Sequence, residues 1–75
     1  MSRLPVMTYR ELVKRLRDHG FIFDRQAKGS HEIWYNPSTK KRTTVPRHPG
    51  DLARGTLRAI IEQTGLSIDE FLTGG

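Results

Sequence analysis

Three short strand-like segments lie close together in the middle of the chain. They are Phe21 to Gln26, His31 to Asn36 and Arg42 to Val45. A parallel pairing needs a crossover connection of about a dozen residues or more, and the turns between these segments are shorter than that. The segments therefore predict an antiparallel sheet made of hairpins. The alternation of Phe21 and Phe23 further predicts that the first strand is half-buried.

A well-marked helix precedes the strands. Thr8 and Glu11 have the spacing of a capping box, in which each side chain bonds the backbone amide of the other residue. Apolar residues then recur every three or four positions, and Gly20 fits the left-handed conformation that often ends a helix. Together these signals predict a first helix from Tyr9 to His19.

Two further helix signals follow the strands. They predict a second helix from Leu52 or Arg54 to Gln63 and a short final helix from Ile68 to Leu72. Ser67 and Glu70 repeat the capping-box spacing at the start of the final helix. The order helix, three strands, helix predicts a two-layer α+β sandwich with both longer helices on one face of the sheet.

Size and composition limit the class of protein. A chain of 75 residues has room for one modest core, so residues 1–75 are expected to form one domain, with residues 1–7 as an N-terminal extension. The absence of cysteine excludes disulfides and thiolate metal sites. The chain has neither an apolar run of about 20 residues nor a signal-peptide pattern, so a cytoplasmic protein without a membrane partner is expected.

The charge of the chain narrows its partners. Thirteen Lys and Arg against eight Asp and Glu leave a net charge of +5, with a sequence pI near 10.3. Such a basic surface favours phosphate-rich partners or an acidic protein. The predicted RNA-binding cations are Arg25 and Lys28 at the turn before His31, and Lys40, Lys41 and Arg47 farther along. Lys40 and Lys41 fit equally well as a solvated charge run.

Two of the three histidines are candidates for chemistry. An imidazole has an unperturbed pKa of about 6.5 and is suited to proton transfer near neutral pH. His31 opens a strand directly after a glycine-containing turn, while His48 lies in a loop stiffened by Pro46 and Pro49. His48 is equally consistent with a turn residue that makes local hydrogen bonds. His19 ends the first helix and is interpreted as structural.

The spacing of the polar residues gives no metal site. The histidines are 12 and 17 residues apart on different elements, which matches no local zinc pattern. The carboxylates show no two-metal nuclease spacing either, so no metal and no cofactor are expected.

Alternation along the second predicted strand separates its side chains between two faces. It places His31 and Tyr35 on one face and Glu32 and Trp34 on the other, so only one of the aromatics Trp34 and Tyr35 belongs to an outer surface.

Several motifs in order resemble the HicA (YcfA-like) toxins. They are Gly29-Ser30-His31 opening a strand, Ile33-Trp34-Tyr35, Val45-Pro46-Arg47-His48-Pro49, Gly55-Thr56-Leu57-Arg58 running into Ile60-Ile61, and the closing Gly65-Leu66-Ser67 with Phe71. The resemblance covers nearly the whole chain, from Thr8 to Phe71. It implies a fold like the double-stranded-RNA-binding domain and a toxin of a type II toxin–antitoxin pair.

The resemblance also implies an activity and a partner. Such a toxin cleaves messenger RNA without requiring the ribosome, and the family's catalytic histidine maps onto His31. A HicB-type antitoxin would bind the toxin and cover this site. The pair would repress its own promoter through the antitoxin's DNA-binding part, so this chain would meet DNA only indirectly.

The mechanism expected from the residues is metal-independent acid–base catalysis. His31 would act as general acid or base, while Lys28 and Arg25 hold the phosphate. Ser30 would orient the imidazole or bond the phosphate. His48 would be a second proton-transfer group if its loop folds back toward the second strand. Two alternatives stay open: a non-catalytic RNA-binding domain of the same fold, and a basic module that only docks an acidic protein.

Overall fold

The computed structural model describes residues 4–73 and has the predicted order of elements. The elements are α1 (Tyr9–Asp18), β1 (Ile22–Gln26), β2 (His31–Asn36), β3 (Lys41–Pro46), α2 (Arg54–Thr64) and α3 (Ile68–Leu72). The α-β-β-β-α order with a short third helix is the small α+β fold that the sequence predicts. Residues 1–3 and 74–75, which belong to the predicted domain and its N-terminal extension, lie outside the described residues.

The capping box predicted for α1 is present in full. The Glu11 amide donates to Thr8 Oγ1 at 3.2 Å, and the Thr8 amide donates to Glu11 Oε1 at 2.9 Å. The helix ends at Asp18, one residue before the predicted end, because His19 already leaves helical geometry. Gly20 then adopts φ +91°, the left-handed conformation that reverses the chain into β1.

The strands form an antiparallel sheet in the order β1-β2-β3, which confirms the predicted hairpins. The expectation of a half-buried β1 is wrong, because all five of its residues are exposed. Phe21 is buried but precedes the strand, and Phe23 is about half exposed, with its ring nearly perpendicular to that of Trp34 at 6.0 Å between centroids. A register shift between Phe23 and Arg25 breaks the strict alternation on which that expectation depended.

The two faces of β2 separate the core from the outer surface. Glu32, Trp34 and Asn36 are buried, whereas His31 is exposed and Tyr35 lies half-buried on the opposite face. Trp34 is therefore the core aromatic, and Tyr35 belongs to the outer surface. The core joins the inner sheet face to one side of each helix; its buried apolar residues are Leu4, Met7, Leu12, Val13, Leu16, Phe21, Trp34, Val45, Leu52, Leu57, Ile60, Ile61 and Phe71.

The position of α2 decides what lies beside the sheet. Gln63 Oε1 accepts from the Thr43 hydroxyl at 2.6 Å and from the Thr44 amide at 3.1 Å. These bonds hold the last turns of α2 against β3, an edge strand of the sheet. The helix thereby forms one wall of a groove whose other wall is the end of the sheet.

Candidate active site

His31 stands at the first position of β2, on a turn that its neighbours hold firmly. The Ala27 amide donates to the His31 carbonyl at 2.8 Å, and Gly29 supplies the positive φ (+65°) that the turn requires. The Gln26 side-chain amide donates to the carbonyls of Gly29 and His31, each at 3.1 Å. The imidazole is exposed, but the backbone that carries it is fixed on both sides.

One hydrogen bond sets the chemistry of the His31 ring. Nδ1 lies 3.2 Å from the carbonyl oxygen of Lys28. A carbonyl only accepts hydrogen bonds, so Nδ1 must carry the proton and donate it. In the neutral ring this leaves Nε2 with a free lone pair, which is the state that a general base needs.

His48 lines the same groove as His31. Backbone pairing brings the two together, since His31 faces Pro46 across the ladder and the Arg47 amide donates to the Ser30 carbonyl at 2.9 Å. The loop after β3 thus does return to the start of β2. His48 Nδ1 donates to the Pro49 carbonyl at 2.8 Å, so its Nε2 is also left free.

The groove that contains both histidines is open and small. Its volume is about 380 Å³, and it is lined by His31, Thr44, Pro46, His48, Thr56, Ala59, Ile60 and Gln63. The α2 residues among these were not predicted from sequence. Their presence depends on how α2 docks beside β3, and no local pattern signals such docking.

The predicted RNA-binding cations lie in separate parts of the structure. Lys28 is exposed on the same turn as His31, and Arg25 is exposed on β1, where it pairs with Asp24 at 3.2 Å. Lys40 and Lys41 lie at the other end of the sheet, because Lys41 pairs with Asn36 while His31 pairs with Pro46. Five residues of strand correspond to about 17 Å, so the structure does not bring these two lysines to His31.

Arg47 turns away from the histidine groove toward a buried carboxylate. Its Nη1 lies 3.8 Å from Oε2 of Glu32, which is only 3% exposed, and its guanidinium lies over the Tyr9 ring. Glu32 Oε1 also accepts from the Tyr9 hydroxyl at 2.6 Å and from Trp34 Nε1 at 3.0 Å. A buried carboxylate needs such partners because burial removes the water that would otherwise solvate its charge.

Burial and Glu32 together act on the Tyr9 hydroxyl. Desolvation raises the pKa of Tyr9 above its ordinary value of 10.0, and the hydrogen bond and negative charge of Glu32 raise it further. Neither Glu32 nor Tyr9 was predicted from the sequence to belong to a functional site. The signal for Glu32 was present, since strand parity places it on the same face as the core residue Trp34.

Two kinds of site are not found in the part of the chain that the structure describes. Residues 4–73 contain no group of three or more His, Asp or Glu side chains that could hold a metal ion. Within the same range, no helix has the length and apolar character needed to cross a membrane. The chemistry that this arrangement offers is proton transfer by two imidazoles in an open groove beside a cationic turn.

Comparison with known proteins identifies the family. No match is found among curated proteins. The family model for the HicA toxin of bacterial toxin–antitoxin systems matches residues 9–66, which run from the start of α1 past the end of α2 and include both His31 and His48. Because this match covers far more than half of the chain, the protein belongs to the HicA toxin family.

Proposed function

We propose that this chain is the endoribonuclease toxin of a type II toxin–antitoxin pair and that it cleaves messenger RNA through His31. The observation that carries the proposal is the bond from His31 Nδ1 to the Lys28 carbonyl, which leaves Nε2 free in the groove shared with His48. Membership of a toxin family makes a damaging activity the expected one. Because the proposed substrate is messenger RNA, we expect the protein to act in the cytoplasm.

RNA brings its own nucleophile, so no metal is required. His31 Nε2 takes the proton of a ribose 2′-hydroxyl while the 2′-oxygen forms a bond to the adjacent phosphorus. The bond from phosphorus to the 5′-oxygen breaks, and protonated His48 supplies a proton to that leaving oxygen. The products are a 2′,3′-cyclic phosphate on one fragment and a 5′-hydroxyl on the other.

The turn before β2 supplies positive charge for the transition state. Lys28 orients the imidazole through its carbonyl, and its ammonium lies on the same exposed turn. Together with Arg25, it would hold the phosphate and stabilise the charge that builds on its oxygens. Ser30, whose carbonyl fixes the loop after β3, would contribute its hydroxyl to the imidazole or the phosphate.

The test is RNA cleavage by purified protein in excess EDTA, with wild type, His31→Ala and Arg58→Ala compared. Arg58 is exposed on α2 and does not line the groove, so it is the matched control. We expect wild type and Arg58→Ala to cleave, with cyclic-phosphate ends, and His31→Ala to lose about 10²- to 10⁴-fold in rate. Circular dichroism verifies that the variants are folded.

The other outcomes select the alternatives. Equal cleavage by wild type and His31→Ala would reject His31 as the catalytic group. RNA binding without cleavage by either protein would favour a passive RNA-binding domain of this fold. Neither binding nor cleavage would favour a basic module that only docks an acidic protein.

A HicB-type antitoxin is the proposed partner that covers this groove. The groove is open, the chain carries a net charge of +5, and the family is one half of a toxin–antitoxin system. We expect an antitoxin encoded by the neighbouring gene to bind this chain with high affinity and to abolish RNA cleavage at equimolar ratio. A complex that still cleaves RNA would contradict this arrangement. Promoter DNA should be bound by the complex, through the antitoxin, and not specifically by the toxin alone.

A further inference from the structure

A second groove, lined by cations, lies on the α1 side of the molecule. Its volume is about 550 Å³, and it is lined by Tyr9, Arg10, Val13, Lys14, Arg17 and Arg47. None of these residues lines the histidine groove. The expected catalytic chemistry assigns no role to Arg10, Lys14 or Arg17, so this surface is a candidate for a separate function.

The α1 cations form one stripe. Arg10, Lys14 and Arg17 follow each other at four- and three-residue spacing, which places them on the same side of the helix. The stripe is about 10 Å long, because each residue of an α-helix adds about 1.5 Å. Phosphates on one nucleic-acid strand are about 3.4 Å apart along a duplex axis, so the stripe is long enough for more than one.

The charges in this groove are only partly neutralised. Among the described residues, Asp18 bonds Lys14 at 3.2 Å and Glu32 lies 3.8 Å from Arg47. Four cations against these two carboxylates leave a surplus of two positive charges. Arg17 lies over the Trp34 ring, with its guanidinium carbon 5.1 Å from the ring centroid. An aromatic ring orients this guanidinium without cancelling its charge.

The loop after β3 forms a rim shared by the two grooves. Pro46 and His48 line the histidine groove, and Arg47 between them lines the α1 groove. The ion pair of Arg47 with Glu32, at 3.8 Å, holds the Arg47 side chain on the α1 side. A strand cut beside His31 therefore needs to cross only this rim to reach the α1 cations.

We infer that the α1 groove binds the phosphate backbone of the same RNA strand, several nucleotides away from the bond that is cut. This inference rests on the proposed ribonuclease function and specifies its substrate as an extended RNA strand. The α1 groove supplies affinity and the histidine groove supplies chemistry. Backbone contacts of this kind position a strand without reading its sequence.

The test compares two double variants with matched spacing. Arg10→Gln/Lys14→Gln removes two exposed cations of the groove, and Arg54→Gln/Arg58→Gln removes two exposed cations, also four residues apart, from α2. Each variant is assayed on a mixed-sequence RNA strand and on a mixture of dinucleoside monophosphates. The short substrates fill only the histidine groove, so they report on chemistry alone.

We expect the α1 variant to raise KM for the long RNA about tenfold and to leave cleavage of the dinucleoside monophosphates within about twofold of wild type. A plot of the logarithm of its RNA-binding constant against the logarithm of salt concentration should also be shallower by about 1.4. Two contacts are removed, and each contact to a single strand contributes about 0.7 to this slope. The α2 variant should match wild type on both substrates. Thermal melting verifies that both variants are folded.

Three other results have separate meanings. If the α1 variant matches wild type on long RNA, the inference is overturned and the ribonuclease function stands. If RNA handling is unchanged but antitoxin affinity falls, the inference is again overturned and the groove belongs to the protein partner. If neither wild type nor the two variants cleave any substrate, the ribonuclease function fails, and RNA binding alone then decides whether the α1 groove contacts the phosphate backbone. A shallower salt slope for the α1 variant supports that contact, and an unchanged slope overturns the inference.

Discussion

The two histidines of the groove share a local arrangement. In each ring, Nδ1 donates to a backbone carbonyl, that of Lys28 for His31 and that of Pro49 for His48. Backbone carbonyls do not titrate, so the same nitrogen remains the donor when the ring gains or loses a proton at Nε2. Each imidazole can therefore exchange its Nε2 proton with substrate while keeping its orientation.

If both imidazoles act, activity should depend on two ionisations. Cleavage requires one ring to be neutral as base and the other to be protonated as acid, so kcat/KM should follow a bell-shaped pH profile. His48→Ala should lower the rate by about 10²-fold or more and leave a profile with a single ionisation. Initial rates across pH 4–9 on a short RNA substrate measure this. A wild-type profile with one ionisation would exclude His48 from proton transfer.

The raised pKa of Tyr9 makes a second residue-scale prediction. A proton held more tightly in the folded state adds stability below the ordinary value of 10.0, and this stability is lost as pH rises above it. Tyr9→Phe removes both the proton and the bond to Glu32. The difference in unfolding free energy between wild type and Tyr9→Phe should therefore shrink as pH rises above 10.0.

Urea denaturation at neutral pH and at several alkaline values measures that difference. Subtracting the two curves cancels the contributions of all groups that both proteins share. At neutral pH, loss of a hydrogen bond to a charged group should cost Tyr9→Phe about 1.5–3 kcal/mol. A difference that does not change with pH would show that Tyr9 keeps its ordinary pKa in the folded protein.

At the scale of elements, local signals in the sequence predicted most of the fold. Both capping boxes, the end of α1 near Gly20 and the alternation in β2 depend on residues within a few positions of each other. The same strand parity separated Trp34 from Tyr35 correctly. It failed for β1, because an irregularity at Phe23 shifts the pairing and the strand lies at the exposed edge of the sheet.

The parts of the site that were missed depend on contacts between distant elements. Gln63 reaches Thr43 and Thr44 across about twenty positions of sequence and brings α2 to the groove. Lys40 and Lys41, which stay predicted RNA-binding cations, are near His31 in sequence, but β2 carries the chain to the far end of the sheet before they occur. Proximity in sequence predicts proximity in space along a turn and fails along a strand.

The capping box of α3 makes a prediction for that element. The backbone amide and side chain of Ser67 lower the pKa of Glu70 below its ordinary value of 4.5. A lowered pKa adds stability that is present above 4.5 and is lost as pH falls through the folded value. Wild type should therefore be more stable than Glu70→Gln at pH 7, and the two should converge in acid. Thermal melting from pH 7 down to pH 2 measures this, and a gap that stays constant would contradict it.

For the whole molecule, the segment before α1 connects the core to the loop that carries His48. Leu4 and Met7 are buried, so part of the predicted N-terminal extension is core. The Leu52 amide donates to the Met7 carbonyl at 2.8 Å, and Thr8 forms a bridge with Asp51. This pairing fixes the far end of the loop, while the bond from Arg47 to Ser30 fixes the near end.

Removing the Met7 side chain should therefore affect both stability and the groove. Met7 is 3% exposed, and Met7→Ala should cost about 2–5 kcal/mol by leaving a cavity in the core. Val6 is 68% exposed, so Val6→Ala is the matched control and should stay within about 0.5 kcal/mol of wild type. Denaturant unfolding measures both. Met7 and Leu52 belong to the same buried cluster, and the Met7 carbonyl accepts from the Leu52 amide at the far end of the loop. The folded Met7→Ala protein should therefore also cleave RNA more slowly, and unchanged cleavage at a temperature where it is fully folded would show that the loop holds His48 without this support.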